Sequence, residues 1–289
     1  LNLFTDSEDA YTISKLTART LLSGSASVGP GEDLIFQWAD KLVVVKDLAP
    51  ILTIGEDDQQ QVLSDLRDAY DGYIKRAWGS GKPAAEWRGK FGFLSAATPA
   101  IDRHWKFLAE LGERYVRVNL VTDPKRQTYA AIDGMGHEEE MRESLRAAGK
   151  AYLAYYKDLA GSWVPEIPSH FKYTVADVAH VTAILRSHVI RDRQRGVLVP
   201  PQPEVGTRLG KQFLRLAQAL AFLYQRQPSD PEFELVLRAA SDAVPKRRKA
   251  VLGALLTGQS ELAGIQRYTQ FPKSSVQEEL EDLALLSVR

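Results

Sequence analysis

The chain has 289 residues and is 44% hydrophobic, enough to bury a substantial core and to divide into two or three units. Lys and Arg number 37 against 37 Asp and Glu, so no overall field draws the chain to nucleic acid or anionic lipid, and any such contact has to come from a local patch. The absence of cysteine excludes disulfides and thiolate metal sites.

No apolar run approaches the roughly 18 residues of a membrane span, and the opening "LNLFTDSEDAY" has neither the basic nor the apolar region of an export signal. No membrane partner is expected, and the cytoplasm is the expected compartment. The first residue is not Met, and the chain is expected to be part of a longer protein.

In chain order, "LVVV" at 42–45 predicts a strand buried on both faces, stopping on Lys46 and Asp47. A helix is predicted over 57–70, with Val62, Leu63, Leu66, Ala69 and Tyr70 on one apolar face. Next come "YIKRAW" and "AEWRGKFGF", aromatic-rich arms of a β-hairpin around a Gly-Ser-Gly-Lys-Pro tip. That tip is not a phosphate loop, because Arg76 and Pro83 stand where such a loop needs Gly and Ser or Thr. Lys75, Arg76, Lys82, Arg88 and Lys90 alternate with Tyr73, Trp78 and Trp87. This mixture suits a nucleic-acid backbone and its bases, and equally an edge hairpin whose cations discourage strand pairing. Strands are predicted again at "FGFLSAA", 91–97, and "YVRVNLV", 115–121.

Beyond residue 135 the pattern turns helical, with helices predicted over 137–159, 174–193 and 207–225 and shorter ones to the end, divided by the proline-bearing "GSWVPEIPSH" and "VLVPPQPEVG". The fold class expected is thus α/β followed by all-α. The histidines lack metal-ligand spacing, His180 and His188 lying eight apart, and "HEEEM" at 137–141 places carboxylates where a helix start favours them. The last segment predicts a helix opened by "KRRK" at 246–249, a short helix from Glu261, a turn with Phe271 and Pro272, and a helix from Ser274 with Val276, Leu280 and Leu283 inward. That resembles the helix-turn-helix core of a winged-helix domain, whose recognition helix would touch DNA through Lys273, Ser274, Ser275 and Gln277 near its start, and it fits a three-helix protein-contact module equally well. Gln277, Glu278, Glu279 and Glu281 are expected on its exposed side, where the three carboxylates repel phosphates, and "KRRK" is read as a solvated helix start.

An apolar strand ending at Asp47, a helix and basic hairpin, a strand running into "SAATPAIDR", then "GERYVRVNL" and the helix "TRLGKQFLRLAQALAFL" at 207–223 form an order that resembles the AAA+ ATPases. It is most similar to the minichromosome maintenance (MCM) helicases and the related replication proteins of mobile elements. The resemblance implies the second half of an AAA+ (P-loop NTPase) parallel-sheet core over 1–130, a helical lid over 131–245 and a winged-helix domain over 246–289. It also implies ATP and Mg2+ as cofactors, DNA as partner and a homo-oligomeric ring. By the same resemblance Asp47 would hold the metal and nucleotide, Thr98 would be sensor 1, Arg114 the arginine finger serving the next subunit, and Arg208 the sensor 2 arginine. Phosphoryl transfer needs these types of group, because its transition state spreads charge over the γ-phosphoryl oxygens.

The sequence departs from the family in three places. The Walker A loop is expected before Leu1. Aligned on its four apolar residues, the Walker B strand puts Lys46 at the metal ligand and Asp47 at the catalytic Glu; shifted by one, Asp47 takes the metal and Leu48 replaces the base. Thr98 stands for the usual asparagine, which keeps a hydrogen-bonding group with shorter reach. Two functions are therefore expected in competition: a DNA-dependent ATPase motor or initiator, and a non-catalytic DNA-binding regulator with a degenerate nucleotide fold.

Overall fold

The structure, a computed structural model, describes residues 4, 7–17, 20–23, 29, 31–78, 84–98, 101, 114–120, 122–160, 162–192, 194–199 and 201–286. The chain divides into two compact units, one of residues 1–111 with 122–162, the other of residues 112–121 with 163–289.

The first unit is built on a parallel sheet of β1 (Ala10–Ile13), β2 (Leu42–Val45) and β5 (Gly92–Ser95), with β2 in the centre. The register runs from Ala10 beside Leu42 and Leu42 beside Gly92 to Ile13 beside Val45 and Val45 beside Ser95. Val43, Val44 and Val45 are fully buried, as a central strand covered on both faces requires. Between β2 and β5 the chain makes α1 (Glu56–Asp71) and an antiparallel hairpin of β3 (Tyr73–Arg76) and β4 (Ala85–Arg88). Helix α1 has three acidic residues in its first turn, where the helix dipole favours them, and buries Val62, Leu63, Leu66 and Ala69; Tyr70, expected on that face, is exposed. It ends on Gly72 at φ 88°, whose N–H bonds to Ala69 O. A Cβ there would sit 3.1 Å from Gly89 O, so the turn into β3 calls for glycine. The hairpin alternates as a strand pair must: Ile74 and Trp87 point inward, Tyr73, Lys75, Glu86 and Arg88 outward. Helices α2 (Pro124–Asp133), capped by the Asp123 carboxylate, and α3 (Glu138–Ala160) complete the unit.

The second unit is helical. Helices α4 (Ser169–Arg186), α5 (Thr207–Leu223) and α6 (Asp230–Ala243) enclose Phe171, Val175, Ala179, Leu209, Phe213 and Val236. Where the chain enters α5, a Cβ on Gly206 would lie 2.8 Å from the Ala179 backbone, so only glycine permits that approach. Helix α6 opens with a reciprocal cap between Ser229 and Glu232. Helices α7 (Lys246–Leu256), α8 (Leu262–Thr269) and α9 (Lys273–Leu285) form a second core around Val251, Ala254, Ile265, Val276 and Leu283, with Leu280 and Phe271 against it. The inward residues expected of the last helix are thus inward.

Two expected elements differ. Residues 115–120 form no strand among the described residues. Their polar groups are taken by side chains: Asn119 N–H donates to the Asp242 carboxylate at 2.8 Å and Arg238 donates to Asn119 O at 3.2 Å, while Val116 packs on the α4–α6 core. The helix expected over 174–193 begins at Ser169 and stops at Arg186. Beyond it Arg191 pairs with Val197 in a small antiparallel bridge, and Asp192 Oδ1 accepts the N–H groups of Gln194 and Gly196, a side-chain-stabilised turn that competes with helix. Mixed α/β structure on a small parallel sheet, followed by helices, agrees with the expected order of fold classes. Among the described residues no helix is long and apolar enough to cross a membrane.

Candidate functional site

The carboxyl ends of the three parallel strands are stitched together by backbone hydrogen bonds. Lys46 N–H donates to Ile13 O at 3.0 Å, Ala96 N–H to Val45 O at 3.4 Å and Leu48 N–H to Ala96 O at 2.9 Å. This brings the residues after β2 and β5, Asp47 and Thr98 among them, to one edge of the sheet. In open parallel sheets that edge is where ligands bind. Asp47 is half-buried and its Oδ1 accepts Ala49 N–H at 2.9 Å, which opens the short 3-10 helix Ala49–Thr53. Asp47 Oδ2 has no hydrogen bond among the described residues. Lys46 and Thr98 are exposed.

No group of three or more His, Cys, Asp or Glu among the described residues is arranged to hold a metal. A magnesium ion held by one carboxylate and by phosphates needs no such group, and the open Oδ2 of Asp47 fits that demand. Arg114 and Arg208 belong to the second unit. Arg114 is half-buried at the head of the 114–120 segment, and Arg208 is half-buried in the first turn of α5, a turn without acidic residues. Asp47 and Thr98 thus follow neighbouring strands of one unit, and the two arginines belong to the other.

On the hairpin the expected cations part company. Lys75 and Arg88 are exposed and share Glu86, at 3.8 and 3.3 Å, and the Arg88 guanidinium stands 4.5 Å over the Tyr73 ring. Arg76 instead turns inward and pairs with Asp65 of α1, which also accepts from Gln61 at 2.9 Å. Burial holds the Asp65 carboxyl above its ordinary value, with Arg76 pulling against that shift. Arg76 is therefore half of a buried pair and no part of the outer basic face. Lys82 lies outside the described residues.

At the other end, Lys273 and Ser274 are exposed in the first turn of α9. Two expectations for this region are corrected. Glu279, expected on the solvent side, is 8% exposed, and Arg248, expected in a solvated "KRRK", is 4% exposed. Arg248 Nε donates to Glu279 at 3.2 Å and Nη2 to Asp282 at 3.1 Å, while Nη1 donates to the carbonyls of Leu185 and Ser187 at 2.8 and 2.7 Å. Arg191 donates to Asp282 at 2.6 Å, which holds its guanidinium in the charged form, and reaches Glu281 at 3.3 Å. Burial raises the Glu279 carboxyl, and Arg248 opposes the rise. A signal for this cluster exists in the sequence: Glu279 falls three residues after Val276 and four before Leu283, on the inward face.

No family model matches the chain, and no curated protein matches it.

Proposed function

We propose that the chain is part of an AAA+ ATPase of the helicase or initiator kind, acting on DNA and hydrolysing ATP at the contacts between subunits of a ring. The observation that carries this reading is the stitched carboxyl edge, where a central valine strand delivers Asp47 and its neighbour delivers Thr98. Bound ATP with Mg2+ would supply the phosphoryl group and the counter-charge. Asp47 Oδ2 would take the ion, the Thr98 hydroxyl would hold the attacking water or a phosphate oxygen, and Arg208 would offer its cation from the α5 N-terminus, where the dipole also favours an anion. Arg114 would close the site of the next subunit. Lys75, Arg88, Lys273 and Ser274 would meet the DNA backbone.

The second reading, a DNA-binding regulator without turnover, is favoured by the bond from Ala49 N–H to Asp47. That bond gives the carboxylate a local role in starting a 3-10 helix. The two readings part on ATP turnover by the longest gene product that contains this chain. The motor predicts that Asp47→Asn keeps the fold, since asparagine accepts the same Ala49 bond, and loses turnover by at least 100-fold; mixed with Arg114→Ala chains it regains part of that activity. Unchanged turnover in Asp47→Asn removes Asp47 from the site, and no turnover in the parent protein leaves the regulator.

A further inference from the structure

Helices α5 and α7 are alike in composition and opposite in how their charges are met. Each carries cations and no acidic residue. On α7 the cations have carboxylates of their own chain: Arg247 and Arg248 meet Glu279, and Lys249 meets Asp242. On α5 the cations are Arg208, Lys211 and Arg215, and none of them has an ion pair or a side-chain hydrogen bond among the described residues. At about 100° per residue they share one arc of about 60°, and they rise about 10 Å along the helix. Arg208 is half-buried, and Lys211 and Arg215 are exposed. Like charges three and four residues apart repel, and a cation in the first turn opposes the helix dipole. Nothing within α5 favours this stripe, and an anionic partner would.

We infer that the α5 stripe docks on the first turn of α1 of a second copy of the chain. That turn holds Glu56, Asp57 and Asp58, all exposed, and these carboxylates also lack an ion pair or a side-chain hydrogen bond among the described residues. The helix dipole favours acids there and leaves their outward charge to a partner. Other acidic clusters are already engaged. At the start of α3, Glu139 meets Arg142 and Arg146, and Glu140 meets His137. On α9, Glu279, Glu281 and Asp282 meet Arg191, Arg247 and Arg248. Sizes agree as well. A helix is about 10–12 Å across with its side chains, so three carboxylates splayed from the head of α1 cover the ~10 Å stripe. One side supplies only cations and the other only anions, which makes the contact heterologous. Each copy offers its stripe to one neighbour and its acidic turn to the other, and such contacts build a ring where the rotation closes. This contact deepens the proposed ring by naming what joins its subunits, and it rests on that reading for closure alone.

Four exposed residues test the contact, and Arg208 is left intact for the nucleotide. One variant reverses the stripe with Lys211→Glu and Arg215→Glu; another reverses the turn with Asp57→Lys and Asp58→Lys. Sedimentation equilibrium at low salt without nucleotide should show the parent associating as its concentration rises and each variant alone weakened by about 100-fold. An equimolar mixture of the two variants should regain the parent's association, because every contact in it again joins unlike charges. The chain has no cysteine, so Lys211→Cys and Asp57→Cys chains, oxidised gently, should form a disulfide when mixed and none alone. A parent that stays monomeric at high micromolar concentration overturns the inference, as does a variant mixture that fails to recover. Cysteine chains that stay reduced together overturn it even where a reversal variant misfolds. Association indifferent to the stripe reversal, with a lower salt slope of DNA binding in that variant, assigns the stripe to a nucleic-acid strand and also overturns it. ATP turnover is read separately: association that follows this charge pattern in a protein without turnover keeps the contact and removes the motor.

Discussion

The hairpin β3–β4 and the helices α7 and α9 each bury one arginine against carboxylates, with different completeness. Arg76 meets a single carboxylate, and Asp65 Oδ2 remains buried with no hydrogen-bond partner among the described residues. Arg248 has two carboxylates and two backbone carbonyls arrayed around its fork. A buried ion is stabilising only to the extent that its donors and acceptors are all met. Arg248 should therefore hold the second unit together, binding the end of α4 to α9 through α7, whereas Arg76 compensates a desolvated carboxylate and adds little beyond that.

The largest effect that would sharpen this contrast is expected from Arg248→Met. It leaves Glu279 and Asp282 short of a partner and uncaps the Leu185 and Ser187 carbonyls, for a loss of about 3–5 kcal/mol in chemical denaturation. Arg248→Lys should rescue only a minor part, because an ammonium cannot span four acceptors in a plane. A loss below ~1 kcal/mol for Arg248→Met would erase the distinction between the two regions.

A smaller loss, about 2 kcal/mol, is expected from Arg76→Ala, most of it returning in the Arg76→Ala and Asp65→Leu double variant, since the cost lies in the orphaned carboxylate. Lys75→Ala next to it should leave stability within ~0.5 kcal/mol. If the hairpin meets DNA as proposed, Lys75→Ala lowers the salt slope of binding by about one, whereas Arg76→Ala leaves that slope unchanged. Equal slopes in the two variants would mean that the inward and outward cations are not functionally distinct.

The smallest effect is on pH. Burial raises Asp65 and Glu279 above their ordinary 3.8 and 4.5, so the folded chain binds these protons more tightly than the unfolded one. Their contribution is in full force below the unfolded values and is lost as pH rises through the folded ones. Stability of the parent relative to Asp65→Asn should therefore decline as pH climbs from about 4 toward neutrality. A parent that gains on the variant over that range would reverse the sign and point to pairing with Arg76, in place of burial, as the dominant influence on Asp65.

The sequence makes the strong periodicities legible and the polar partnerships much less so. The valine run of β2, the apolar face of α1, the hairpin and the inward row of α9 follow from patterns within ten or so residues. Strand β1, "AYTI", leaves no mark in the sequence, because it is short, half-buried throughout and gives no alternation to read. The 115–121 stretch has the alternation of a strand, but Asp242, which takes its N–H, is 123 residues away. Asp47 and Thr98 share an edge because each ends a foreseeable strand. Arg76 and Arg248 read as surface cations from the sequence because composition marks the charge and cannot mark its partner. Asp65 reaches Arg76 only through the Gly72 turn, and Glu279 reaches Arg248 only after α8 has folded the chain back.

The division of residues between the two units bears on how this protein can be cut. Residues 122–162 lie between two stretches of the second unit, 112–121 and 163–289, and belong with the first, so in sequence they are an insertion into the helical unit. A fragment begun at Trp163 would lack Val116 from its core and leave the buried Asp242 carboxylate without the Asn119 N–H. A fragment that keeps the whole helical unit is a discontinuous one, residues 114–120 spliced through a linker to 163–286, and dissection at any single peptide bond leaves one of the two units incomplete.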